Sequence, residues 1–179
     1  MIYYALIHSH LNYCPLIWLK NQPISKINIL KKLQNKAVRS IFCAKYTCHT
    51  DPLYKLSGIV KVNNICKVEL LFTMYQYKYG NLPKPLLELI QNSLIPKNEQ
   101  TRTAELRIHG KHKQGTLLFD LIKTWNECDD VYIKNKKYSS KSVKGRIKKY
   151  YQIKSSTNCI KKSCISCKAT KYKKYENLK

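Results

Sequence analysis

The sequence predicts a mainly α-helical fold, in which a small helical bundle is followed by a basic, partly disordered C-terminal tail. Apolar residues recur every three to four positions in several segments, and no segment shows the apolar–polar alternation of a half-buried strand. Glycine and proline fall between these segments, where helices end. A chain of 179 residues with 44% hydrophobic content can form one domain of about 100 to 150 residues plus a tail. The predicted divisions are a bundle over 1–96, a connector with a core-returning helix over 97–130, and a lysine- and tyrosine-rich tail over 131–179.

The N-terminal stretch and the segment after it predict the first helices. Residues 1–19 have the aromatic and aliphatic density of a buried helix, which Pro15 kinks or divides. The clearest helix lies between Pro23 and Phe42, with Ser25 as the expected N-cap. Its expected apolar stripe consists of Ile27, Leu30, Leu33, Ala37, Val38 and Ile41. We expect the N-terminal stretch to pack against this helix.

Capping residues, prolines and glycines predict further helices downstream. A short helix begins near Pro52, with Thr50 or Asp51 as its cap, and Gly58 ends it. The next predicted helix spans 65–79, with Asn63 as its cap and Gly80 as its stop. A shorter helix is predicted over 86–94 after Pro83 and Pro85, and a helix that returns to the core is predicted within 115–128.

One side of the helix after Pro23 carries several cations and no acid. Lys31, Lys32, Lys36 and Arg39 lie outside its apolar stripe, and the helix contains no acidic residue to pair with them. A solvated surface is one explanation, and binding to an anion is the other. The composition favours binding, because 34 lysines and arginines against 10 acidic residues give the chain a formal charge of +24. We therefore expect nucleic acid as the partner.

The last quarter of the chain holds most of the positive charge. Residues 131–179 contain 15 lysines, one arginine and a single acid, Glu176, so they supply +15 of the total. Six tyrosines stand among these cations, and such a mixture stacks on bases while it neutralises phosphates. A disordered, solubilising tail is the competing interpretation. The candidate nucleic-acid contacts here are Arg146, Lys148, Lys149, Tyr150 and Tyr151.

The eight cysteines indicate reduced thiols rather than a disulfide framework. The apolar first 18 residues lack the basic start of a secretory signal and are interrupted by polar residues, so we expect an intracellular protein, nuclear or cytoplasmic. No apolar run is long enough to span a bilayer. Cys43 and Cys48 match no common zinc spacing and are expected as small buried thiols.

The tail cysteines form the one arrangement with metal-ligand spacing. Cys164 and Cys167 make a C-x-x-C pair, which can share a tetrahedral zinc ion, and Cys159 stands nearby. No fourth ligand is evident unless Cys128 folds back to this site. Reduced surface thiols are therefore the alternative to a zinc site at Cys159, Cys164 and Cys167.

Several longer motifs occur in a fixed order along the chain. They are YYALIHSHLNYCPLIW at 3–18, KINILKKLQNKAVRSI at 26–41, HTDPLYKL at 49–56, NLP at 81–83, Thr101-Arg102, FDLIKTWN at 119–126 and SVKGRIKKYY at 142–151. Together they resemble the region that follows the catalytic palm in reverse transcriptases of non-LTR retrotransposons, the LINE-type elements of the jockey-like groups. The resemblance covers most of the chain, and LQNKAVR with the order of the other motifs makes it specific.

The resemblance implies a helical thumb and the segment after it, which hold a template–primer duplex and perform no chemistry. The implied partner is RNA or an RNA–DNA duplex. Polymerisation needs palm carboxylates that hold two Mg²⁺ ions, and the resemblance begins downstream of that palm. Asp129 and Asp130 lie far beyond it and are not expected to bind metal. We expect no catalytic residue, no enzyme activity of this chain alone and no cofactor, with Mg²⁺ required only if a palm stands upstream.

Three alternatives stay open. The chain is the C-terminal part of an active reverse transcriptase if the reading frame continues upstream through a palm. It is a zinc-stabilised interaction module if the tail cysteines bind metal. It is a transposon relic without function if it is translated poorly and serves no selected role.

Overall fold

The described part of the chain is built mainly from α-helices. In a computed structural model, the described residues are 3–94, 116–129, 133–134 and 138–154; they are 74% helical and include no strand. The predicted mainly α class is confirmed. After a π-helical turn at Tyr4–His8, the helices are α1 (Ser9–Asn12), α2 (Pro15–Trp18), α3 (Ile24–Ile41), α4 (Asp51–Ser57), α5 (Val62–Lys78), α6 (Lys84–Ser93), α7 (Leu117–Asn126) and α8 (Ser140–Lys154). Within these ranges, no helix combines the length and the apolar character that a membrane crossing requires.

The chain divides into two compact units. Unit 1 consists of Met1–Cys66 and Lys148–Lys179, and unit 2 consists of Lys67–Ile147. The predicted boundaries after residues 96 and 130 are not tested by this division and stay predictions. Thr101-Arg102, Asp130 and the tail cysteines lie outside the described residues.

The predicted basic helix, α3, forms in unit 1 with a different start. It begins at Ile24 because Pro23 is extended (φ −61°, ψ 148°) and occupies the N-cap position. Ser25, the expected N-cap, therefore lies inside the first turn. No side chain caps this end of the helix.

The inner side of α3 also differs from the predicted stripe. Leu33 is 58% exposed and Ile41 is 48% exposed, whereas Gln34 is only 2% exposed and Val38 is fully buried. A buried glutamine is tolerated here because its side-chain amide is hydrogen-bonded within the protein. The hydrophobic pattern missed this polar residue and placed the stripe too far toward Leu33.

Gln34 connects α3 to two other parts of unit 1. Its Nε2 donates to the Tyr3 hydroxyl (2.8 Å) and to the Val60 carbonyl (2.9 Å), and its Oε1 accepts from the Val62 N–H (2.8 Å). The Val62 N–H is the first of α5 and has no partner within that helix. The glutamine therefore pairs the first N–H of α5. Because the helix begins at Val62, Asn63 lies inside its first turn and is not the predicted cap.

The N-terminal stretch packs against α3, as predicted. The core cluster of unit 1 contains Tyr3, Val38, Leu53, Tyr54 and Ile59, with Ile7, Phe42 and Ala44 packed against it. The stretch is not the uniformly buried helix that was expected, because Tyr13 and Ile17 are each 76% exposed. Its π-helical turn and the left-handed conformation of Cys14 (φ 43°) interrupt the helical period, so no single buried face runs along it.

The short helix α4 forms at the predicted place. Thr50 occupies its N-cap position, and Gly58, in the left-handed region (φ 66°), ends it. The Tyr54 hydroxyl donates to Asn35 Oδ1 on α3 (2.8 Å). Burial raises the pKa of Tyr54 far above its ordinary value, and the nearby Tyr3 and Asp51 add to this increase while Arg39 opposes it.

Unit 2 contains most of the predicted second strong helix. On α5, Ile65 in unit 1 and Val68, Leu71 and Tyr75 in unit 2 are buried. Gly80 (φ 71°) stops the helix, and the Asn81 N–H closes its end on the Gln76 carbonyl (2.9 Å). The remaining buried side chains of unit 2 include Met74, Ile90, Leu121, Ile122, Trp125, Ile133, Val143 and Ile147.

The cysteines are less buried than expected. Cys43 is exposed and adopts a left-handed conformation (φ 47°) just after α3, and Cys48 is half-buried. The prediction of a buried Cys43 is therefore wrong, because the chain has already left α3 at this residue and the side chain lies at the surface. Cys128 is buried.

Candidate nucleic-acid interface

Three of the four predicted basic residues of α3 lie at the surface of unit 1. Lys31, Lys32 and Lys36 are exposed. Lys32 and Lys36 each stand two residues from the buried Gln34, and at about 100° per residue this places them on the opposite side of the helix. Lys31 stands three residues before Gln34 and therefore lies nearer the margin of the buried side.

No carboxylate neutralises these three lysines within the described ranges. Helix α3 contains no acid. The ion pairs of the described residues involve other lysines, namely Lys61 with Asp51, Lys123 with Glu127 and Lys144 with Glu69. Lys32 and Lys36 form a like-charge i,i+4 pair, which costs an isolated helix about 0.2–0.5 kcal/mol. A bound anion would offset this repulsion.

Arg39, the fourth predicted residue, is held by unit 1 itself. It is half-buried, its Nε donates to the Cys48 carbonyl (2.9 Å), and its guanidinium lies 5.5 Å from the ring centre of Tyr46. The side chain therefore anchors the segment after α3. Its contribution to an interface is that of a supporting charge rather than of an extended, exposed cation.

Two kinds of residue on this surface were missed by the sequence analysis. Tyr46 is 81% exposed beside Arg39, and Ile29 and Leu33 are 57% and 58% exposed on the same side as Lys32 and Lys36. An exposed aromatic ring beside a cation was the signal used for the tail, and it could have been applied to Tyr46 as well. The outward side of α3 is thus a mixed basic and apolar surface.

The candidate residues at the end of α8 differ in how deeply their side chains are buried. Lys149 is exposed, and Lys148 and Tyr150 are half-buried. Tyr151 is only 8% exposed, and its carbonyl accepts from Asn64 Nδ2 (3.4 Å). The prediction that the Tyr151 ring contacts a base does not fit this burial, because a base has no access to a ring that is packed inside unit 1.

Tyr150 and its neighbours give α8 a small cation–aromatic surface within unit 1. Lys154 Nζ lies 5.3 Å from the Tyr150 ring centre and donates to its hydroxyl (3.0 Å). Helix α8 is joined to the 58–64 segment, since Gln152 Nε2 donates to the Gly58 carbonyl. Gln34 of α3 bonds to the same segment, so both basic helices are anchored on it.

The last candidate, Arg146, belongs to unit 2. It is half-buried, and its guanidinium lies 4.9 Å from the ring centre of Tyr138. The aromatic ring thus makes a cation–π contact with the guanidinium. Arg146 therefore belongs to a different unit from the α3 lysines.

Metal sites are tested only in the described ranges. There, no three His, Cys, Asp or Glu side chains come together as a group that could hold a metal ion. The weak zinc candidates in the tail lie outside these ranges, so zinc binding there stays a prediction. The exposed lysines of this surface offer electrostatic contact with anions.

Comparison with protein-family models, with curated proteins and with solved structures finds no match for this chain.

Proposed function

We propose that the chain binds RNA or an RNA–DNA duplex along the sugar–phosphate backbone through the outward side of α3. In this proposal it performs no bond-making step itself. It is a non-catalytic piece related to the thumb and post-thumb region of an RNA-directed DNA polymerase from a non-LTR retrotransposon. The structural support concerns the binding surface, and the relation to a polymerase rests on the sequence motifs.

One observation carries the binding proposal. Lys31, Lys32 and Lys36 are exposed on a helix that has no acid, and none of them has an ion pair within the described residues. The chain around them has a formal charge of +24, which attracts polyanions from the surrounding solution. Lysine ammonium groups contact phosphate as point charges and read no base sequence. Backbone binding is therefore the activity that this surface supports best.

The end of α8 supports the same activity at a second place in unit 1. Lys149 is exposed, and Tyr150 presents a half-buried ring next to Lys154. Together these groups can contact one phosphate and one unpaired base. We regard α8 as an auxiliary contact because fewer of its cations are exposed than on α3.

The experiment is a salt titration of nucleic-acid binding by the full chain. Each lost lysine–phosphate contact lowers the slope of log K against log salt by about 0.7 for single strands and about 0.9 for duplex DNA. The triple variant Lys31→Gln, Lys32→Gln, Lys36→Gln should therefore lower the slope by about 2 to 3. Fluorescence anisotropy measures the affinity of each variant for labelled RNA and for a labelled RNA–DNA duplex at each salt concentration.

A matched control separates this surface from net charge. The variant Lys55→Gln, Lys67→Gln, Lys84→Gln removes three exposed lysines elsewhere. Its net charge equals that of the α3 triple variant. If the two triple variants lose affinity and slope equally, binding is a general effect of charge and the α3 surface is not the site. If the unmodified chain shows no salt dependence, the binding proposal itself is wrong.

The relation to a polymerase has an independent test in the genome. A reading frame that continues upstream of Met1 through a palm with paired aspartates would make this chain the end of a reverse transcriptase. An interrupted upstream frame with no palm agrees with a non-catalytic piece. Upstream sequence that encodes an unrelated domain would contradict the proposed relation.

A further inference from the structure

Unit 2 contains a pair of lysines around a single tryptophan. Lys78, at the end of α5, and Lys134 each place their Nζ within 6 Å of the ring centre of Trp125, at 5.8 Å and 5.9 Å respectively. Trp125 belongs to α7 and is 7% exposed. Three separate parts of the chain thus meet at one ring. We call Lys78, Lys134 and Trp125 the Trp125 cradle.

Both lysines donate hydrogen bonds to backbone carbonyls. Lys78 Nζ donates to the Lys134 carbonyl, and Lys134 Nζ donates to the Asn126 carbonyl (3.5 Å). The Tyr79 hydroxyl also donates to the Lys134 carbonyl (3.2 Å). These bonds and the two ring contacts keep both ammonium groups beside Trp125, which reduces the entropy lost on binding.

The charge of the cradle is not neutralised by the described residues. The ion pairs of unit 2 that these ranges contain are Lys123 with Glu127 and Lys144 with Glu69, and neither includes Lys78 or Lys134. An ammonium group has three hydrogen-bond donors, and each cradle lysine uses one of them on a backbone carbonyl. Two positive groups therefore stand close to one ring with donors remaining.

A phosphate group has the chemistry that this arrangement lacks. It offers negative charge to both ammonium groups and several acceptor oxygens to their remaining donors. A carboxylate would supply fewer acceptors, and a neutral ligand would leave the charge unchanged. The tryptophan ring provides a fixed apolar wall that keeps water away from one side of each cation.

We propose that the Trp125 cradle is a phosphate-binding site of unit 2, separate from the α3 surface. Its ligand is a phosphate group, supplied either by a free phosphate compound or by the backbone of a nucleic acid. This site does not depend on the proposed function of α3, because it lies in a different unit and uses different lysines.

Trp125 makes the site directly observable. The chain has two tryptophans, so the variant Trp18→Phe leaves Trp125 as the only indole. Its fluorescence is followed in the full-length variant while inorganic phosphate, or a mixed-sequence oligoribonucleotide, is added at constant ionic strength. We expect a saturable change in emission. Saturation by inorganic phosphate identifies a free-phosphate site, and saturation by the oligonucleotide alone identifies a backbone site.

Substitutions decide whether the cradle lysines cause the change. Lys78→Gln with Lys134→Gln should weaken binding by about tenfold or more, since two charge-assisted contacts are lost. Lys78→Arg with Lys134→Arg should restore it, because guanidinium groups also bind phosphate. The control Lys67→Gln with Lys84→Gln, which removes two exposed lysines elsewhere, should bind like the parent.

The two proposals can fail separately. The Lys31, Lys32, Lys36 triple variant should keep the saturable Trp125 response even if it loses RNA affinity. The cradle proposal is overturned if neither probe gives saturation, if the double glutamine variant binds as tightly as the parent, or if the double arginine variant does not restore binding. It is also overturned if only the oligonucleotide acts and the α3 variant abolishes its effect.

Discussion

Replacing Gln34 by leucine tests how α3 is held in unit 1. Gln34 is 2% exposed, donates to Tyr3 and to the Val60 carbonyl, and accepts from the Val62 N–H. Leucine has a similar volume but no polar atoms. The substitution therefore removes all three hydrogen bonds while it leaves the cavity filled.

The loss can be worked out from the groups left without a partner. Val60 and Val62 are 4% and 0% exposed, so water does not readily replace the amide of Gln34. Each buried polar group left unpaired costs about 1–3 kcal/mol, and the two backbone groups together cost about 2–6 kcal/mol. The added apolar surface of leucine returns about 1 kcal/mol. We expect a net decrease in the free energy of unfolding of about 1–5 kcal/mol.

Urea denaturation followed by far-UV circular dichroism measures this decrease as a lower midpoint at an unchanged slope. Lys36→Leu is the matched control, since it introduces the same side chain two residues away on the exposed side of the same helix. It should change stability by no more than about 0.5 kcal/mol. Equal midpoints for the two variants would refute the hydrogen-bonding role assigned to Gln34.

Two further predictions concern unit stability. Because burial raises the pKa of Tyr54, the folded state retains the phenol proton, whereas the unfolded state loses it near pH 10. The free energy of unfolding should therefore keep its full value below about pH 10 and decrease above it by up to about 1.4 kcal/mol per pH unit. In a series of urea titrations at different pH, Tyr54→Phe should make this decrease less steep. In thermal unfolding, Gly80→Ala should destabilise the protein by about 1 kcal/mol because φ at this residue is +71°. Gly145→Ala should stabilise the protein by about 0.5–1 kcal/mol, since Gly145 lies inside α8 with open space around it. Changes of the same sign in both variants would contradict this account.

Local signals predicted the helices well where they were strong. The stop at Gly58, the stop at Gly80 and the helix that holds Trp125 were all expected from glycine positions or apolar spacing. Helix α8 was not singled out, although Val143, Ile147 and Tyr151 are buried at four-residue spacing. The high lysine content of that segment obscured this stripe, and it also made Tyr151 look like a surface residue.

The inner side of α3 could not be predicted from hydrophobicity. A glutamine is buried only where the fold supplies partners for its amide, and those partners come from Tyr3 and the 58–64 segment. These residues are 26 to 31 positions away along the chain, so no local pattern reveals them. The same limit applies to Arg39, whose partner carbonyl at Cys48 became apparent only in the folded chain.

In the proposed function, α3 separates stability from binding on two sides of one helix. Gln34 and Val38 attach the helix to unit 1, and Lys32 and Lys36 stand opposite them with no ion pair within the described residues. Exposed substitutions away from such contacts change stability little, so the lysines can be exchanged without unfolding the unit. The exposed Ile29 on the same side can be covered by the methylene chains of neighbouring lysines, which directs their ammonium groups outward. A defect in nucleic-acid binding with an unchanged urea midpoint is therefore the outcome that assigns these lysines to the interface rather than to the fold.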